Sequence, residues 1–135
     1  MKRILSTRYS DNAFSFAIFL LRLAGGGMLI PHGYQKLQNF GKFSAGFADP
    51  FHIGSTASLS LVIFAEFFCA IFVVLGLFTR LAAIPPIIAM GVAVFIAHKG
   101  LIFTEGQTAA LFLSIFLAIL FVGAGKFSMD RIIGK

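Results

Sequence analysis

Residues 20–36 read LLRLAGGGMLIPHGYQK. The run is apolar enough for lipid, yet Arg22 stands inside it, three glycines follow, and His32 and Lys36 close it. A permanent charge at the centre of a membrane helix costs about 2.5–3.5 kcal/mol on insertion scales. The segment either stays out of lipid or gives Arg22 a partner inside a helix bundle.

The rest of the chain decides for lipid. Of 135 residues, 59% are hydrophobic and 12% charged, and the mean hydropathy is +0.95. A soluble domain of this size has too little interior to hide that much apolar surface. Hydropathy divides residues 1–135 into four segments, 14–36, 57–78, 81–98 and 107–124, each near the ~20 residues a bilayer crossing needs. The expected fold is a single all-α membrane domain, a four-helix transmembrane bundle. The basic start followed by an apolar run imitates a secretory signal, but the run is too long, Arg22 interrupts it, and no small-residue cleavage site ends it. It reads as a first helix that stays.

Charge sets the direction. Lys2, Arg3, Arg8, Arg80, Lys126, Arg131 and Lys135 fall on one side of the four segments, and Lys36, Lys42 and Lys99 on the other. The positive-inside rule then places both termini in the cytoplasm. The net charge of +6 is spent on topology and anionic lipid, and no basic-aromatic interleaving suggests nucleic acid. Cys69 is the only cysteine, which excludes an internal disulfide, a CxxC pair and a cysteine metal cluster within this chain.

Smaller features refine the bundle. The connection near Thr79-Arg80 makes segments two and three antiparallel neighbours. Pro85 and Pro86 mark either a helix start or a kink, and Pro31 should bend the first helix. In the first loop Phe40, Phe43, Phe47 and Phe51 recur at helical spacing, which predicts a short amphipathic helix lying in the outer interface or folded over the bundle mouth as a lid. Ala89, Ala93 and Ala97, and Ala110, Ser114 and Ala118, are expected helix–helix seams.

Arg22 lies about 12 Å and Glu66 about 18 Å from the cytoplasmic edge at 1.5 Å per residue, so the two are expected to pair. The pair is either a structural staple or the charged floor of a polar pocket. Gly26 and Gly33 share the Arg22 side and would let a helix or a flat ligand approach the backbone. A second polar layer gathers His32, Lys36, His98, Lys99, Glu105 and Gln107 at the outer level. Axial haem ligation by the histidines has no motif behind it. Histidine and carboxylate beside a glycine-lined cleft suit a quinone and its protons.

Three stretches together resemble the DoxX family of small bacterial membrane proteins: LRLAGGGMLIPHGYQKL at 21–37, AEFFCAIFVVLGLFTRLAA at 65–83, and GAGKFSMD at 123–130. The resemblance spans about residues 18–130. It implies a four-helix membrane bundle and a membrane subunit of a quinone-linked redox system, tied to sulfur, thiol or oxidative-stress chemistry, working with a membrane or periplasmic partner or as a homo-oligomer. Matched onto this chain it singles out Arg22, Gly33, Lys36, Glu66, Arg80 and His98, with Gly26, His32 and Glu105 as further ligand-binding candidates. His98 and Glu66 are the catalytic candidates: His98, helped by His32, would move protons, and Glu66 with Arg22 would polarise the ligand or fix the pocket. A quinone is the one cofactor suggested, no metal is expected, and the implied location is a bacterial inner membrane. The loop ADPFHIGSTASL departs from the family pattern. The rival readings are a small-metabolite carrier acting as an oligomer and a non-catalytic assembly subunit.

Overall fold

The computed structural model describes residues 2–47, 49–97, 99–104 and 106–134. Helix α1 (Lys2–Leu5) is a single turn, with Ile4 and Leu5 exposed. Helix α2 (Asp11–Gln38) follows, then α3 (Phe40–Ser44) and α4 (Ser55–Ile63). A π-helical turn, Phe64–Cys69, joins α4 to α5 (Ala70–Leu75). Helix α6 (Thr79–Val92) runs into a second π-helical turn, Ala93–Ala97, and α7 (Gln107–Val122) and α8 (Met129–Ile133) complete the chain. There is no strand among the described residues. Asp11–Gln38, Ser55–Leu75 and Thr79–Ile96 are long and apolar enough to cross a membrane; the fourth apolar helix, Gln107–Val122, is shorter.

Local chemistry explains the ends. Ser10 accepts a hydrogen bond from the Ala13 N–H at 3.0 Å and caps α2, with Asp11 in the first turn, where negative charge is favoured. α5 ends at Gly76, in the left-handed region at φ 72°. The Leu77 N–H reaches the Phe72 carbonyl and the Gly76 N–H that of Val73, the Schellman arrangement that glycine permits. α6 begins at Thr79 and runs through Pro85 and Pro86, so neither proline marks its start.

α2 buries one face: Ser15, Ile18, Arg22, Gly25, Gly26, Leu29 and Gly33. The core against it comes from Cys69, Ala70 and Val73, from Ala83 and Met90 of α6, and from Phe112, Phe116 and Ile119 of α7. Cys69 is a packing residue here. The buried face of α7 is thus aromatic and branched. Ser114 is exposed and turns back onto the Ala110 carbonyl, so the small-residue seam expected there is not the packing face. Ala89 and Ala93 instead line a cavity.

The aromatic stripe of the first loop is split. Phe40 and Phe43 lie on α3, but Phe47 and Phe51 lie beyond its end. Pro50 has no N–H to continue a helix. The Asp49 carboxylate competes for the backbone, accepting from Ile53 N–H at 2.9 Å and Gly54 N–H at 2.8 Å, as Asp side chains do in turns.

Candidate functional site

The expected Arg22–Glu66 pair is not what the structure contains. Arg22 is 1% exposed, and its guanidinium is satisfied by backbone. Nε donates to the Val73 carbonyl at 2.9 Å and Nη2 to that of Val74 at 2.8 Å. Nη1 donates to the carbonyls of Ala124 at 2.9 Å and Phe127 at 2.7 Å. The Phe19 ring lies 5.3 Å from the guanidinium carbon, within cation–π range. The reason is register. The turn after α5 lies level with Arg22, so the last carbonyls of that helix, which lack intrahelical donors and carry the negative end of its dipole, meet the cation first. Glu66 is seven residues before Val73, about 10 Å along a helix.

Arg22 is therefore the centre of a knot at one end of the bundle. Gly76 passes so close that a side chain there would strike Arg22 and Ser128. Asp130 accepts from the N–H groups of Phe78 at 2.7 Å and Thr79 at 2.9 Å, capping α6 from the far end of the chain. Burial alone would push the Asp130 carboxyl up; the bonds from Thr79 and Phe78 and the Arg22 charge outweigh it and hold the carboxyl below its ordinary value. Arg80 stands exposed at this end, 3.4 Å from the Phe121 carbonyl.

Glu66 has another partner. Its Oε1 accepts from Lys36 Nζ at 2.6 Å, with the side chains 7% and 25% exposed. Two local features bring them together. Gly33 lets α2 touch the π-helical turn: a Cβ there would fall 2.7 Å from the Glu66 carbonyl carbon and the Phe67 nitrogen. Lys36, three residues on, then reaches across. Glu66 itself sits in the π-helical turn, a distortion that recurs at functional sites.

The pair borders a groove of about 420 Å³ between α4 with its π-helical turn and α6. Ala65, Pro85 and Ala89 form apolar walls, and Phe47, Phe51 and Ile53 reach over from the loop. Lys36, Glu66 and Ser58 are its polar side chains. Such a groove suits an uncharged, apolar body with a polar end, because the ion pair is neutral overall. Lys36 keeps two donor hydrogens for an oxygen. Among the described residues none donates to Glu66 Oε2.

A family model, DoxX, matches residues 17–99. The chain belongs to the DoxX family. Searches of curated proteins and of solved structures found no significant match. The DoxX match holds Arg22, Gly33, Lys36, Glu66 and Arg80. The 123–130 motif lies beyond it, yet Ala124, Phe127 and Asp130 are what complete the Arg22 knot.

Of the candidate residues in this DoxX protein, Lys36 and Glu66 meet at the groove and Gly33 supports them. Arg22 and Arg80 stand at the other end. Gly26 packs against Ala70 and Val74. His32 is exposed and sets its ring edge to Phe112, with centroids 5.9 Å apart, away from the groove. His98 and Glu105 lie outside the described residues. Sequence reasoning missed Pro85 as a groove residue, and placed Phe47 and Phe51 on one helix, in the interface or as a lid over the bundle mouth. The signal for Phe47 and Phe51 was the aromatic run, read as one helix.

Proposed function

We propose that this DoxX protein binds a quinone or quinone-like ring compound in the groove beside Lys36 and Glu66, as a membrane subunit of a redox system. The observation that carries the reading is the ion pair at the edge of a cavity whose only other polar side chain, among the described residues, is Ser58. A ring with oxygen at its end would lie against Pro85 and Ala89. Lys36 would donate to a ring oxygen, and Glu66 would accept from the hydroxyl of the reduced, quinol form. An ion pair held out of bulk water interacts more strongly with such a head than one in solvent. His98 retains the proton-moving role its chemistry suggests. The chain lacks a second cysteine, so electrons would pass to a partner.

The reading includes a topology. α7, 16 residues long, spans about 24 Å, and we place it as a fourth crossing in a thinned bilayer. Both termini then face the cytoplasm by the distribution of Lys and Arg, and the membrane is the bacterial inner one. The groove mouth, with Lys36 and the first loop, faces outward.

The test is solvent extraction of protein purified gently from its native membrane, with mass spectrometry of the extract. A quinone present in the wild type and lost from Glu66→Gln and Lys36→Met supports the reading. Phospholipid alone in every sample contradicts it. Solute flux through proteoliposomes with no redox partner would favour a carrier instead.

A further inference from the structure

The first loop does more than connect. Phe47, Pro50, Phe51 and Ile53 all line the groove, so the loop is one wall of the cavity that holds Glu66. Packing alone does not clamp it: Phe51 and Ile53 are 58% and 48% exposed. Its attachment is polar. Asp49 Oδ1 accepts from Ile53 N–H and from the Ser58 hydroxyl at 2.8 Å, and Oδ2 from Gly54 N–H. Ser58 belongs to α4 and itself borders the groove. The Ser55 hydroxyl donates to the Ser44 carbonyl at 2.6 Å, tying the two ends of the loop together.

The backbone within this tie turns through two positive φ angles, one of them at a residue that rarely adopts it. His52 has φ 57° and Gly54 φ 104°. A non-glycine residue holds the left-handed region only where its surroundings impose it. Here the imposing group is the Asp49 carboxylate, which gathers the two N–H groups that follow His52, those of Ile53 and Gly54. Without it the segment keeps only the Ser55–Ser44 bond, the His52 N–H to Asp49 carbonyl bond and partial apolar packing to hold it inward.

We propose that Phe47 and residues 49–54 form a lid over the groove, and that Asp49 is its latch onto Ser58 of α4. The lid admits and retains the apolar ligand from the outer side. The latch sets how often the groove opens, while Lys36 and Glu66 set what is bound. This rests on the groove being a ligand site, but its test needs no ligand, so either idea can fail alone.

The test is labelling of a reporter thiol in the groove. Ala93→Cys is placed on a Cys69→Ala background, reconstituted in nanodiscs, and exposed to a charged maleimide that does not enter lipid. With the latch intact, labelling is slow. Asp49→Ala should speed it at least about tenfold, since three hydrogen bonds are lost together. Ser58→Ala, which removes one of them, should give a smaller increase and serves as the reporter variant if Asp49→Ala does not fold. Equal rates in the latched and unlatched proteins overturn the proposal. Absence of labelling in all of them overturns it too, because an open lid must admit the reagent.

Discussion

Arg22 offers five N–H donors, and four backbone carbonyls from two distant parts of the chain take up its head. No side chain of the same kind could do this. Lysine presents a point charge with three donors and no planar fork. Arg22→Leu should leave those carbonyls and Asp130 uncompensated and cost at least about 3 kcal/mol. Arg22→Lys should cost less but remain destabilising. Thermal unfolding in detergent measures both. Asp130→Asn should also destabilise, by about 1–2 kcal/mol, as a weakened helix cap. Its pH signature is specific. The folded carboxyl lies below its ordinary value of 3.8, so its contribution is complete above that pH and fades as pH falls through the folded value. Wild-type Tm should therefore drop more than that of Asp130→Asn below about pH 4, while the two run parallel from pH 5 to 8.

At the scale of elements, contact between α2 and the π-helical turn positions Lys36 on Glu66, and glycine makes that contact. Gly33→Ala forces a methyl group into the backbone of Glu66 and Phe67. It should cost about 1–3 kcal/mol, in the manner of an overpacked core, and part the ion pair. Gly27, six residues earlier, faces open space. Gly27→Ala should be neutral or stabilising by up to about 1 kcal/mol, because alanine is the better helix former. Comparing the two Tm values checks the register directly. The helices themselves were legible in hydropathy, as was the need of Arg22 and Glu66 for buried partners. The partners were not legible. Arg22 is met by carbonyl oxygens, which every residue carries and no residue type announces. Glu66 is met by Lys36 because Gly33 lowers the spacing and a π-helical turn shifts the face, neither of which periodicity at 3.6 residues records. The first-loop stripe was misread for a similar reason: spacing showed the aromatics, but Asp49 and Pro50 decide the backbone.

At the scale of the whole molecule, charge is separated by task. One end of the bundle is knotted by Arg22, Gly76 and Asp130; toward the other, Lys36 and Glu66 border a groove. If both termini face the cytoplasm, a fluorescent protein fused after Lys135 should fluoresce and a secreted phosphatase fused there should be inactive. The central claim is that the arginine holds the fold and the lysine–glutamate pair holds the ligand. The most direct test is titration of a short-chain benzoquinol, kept reduced, into wild type, Glu66→Gln and Arg22→Lys, with Tm measured on the same samples. The account predicts that Glu66→Gln weakens Kd about tenfold or more, as loss of a buried polar contact does, with a smaller loss of Tm than Arg22→Lys. It predicts that Arg22→Lys lowers Tm and leaves Kd near the wild-type value. An unchanged Kd in Glu66→Gln, or a Kd lost in folded Arg22→Lys, would contradict it.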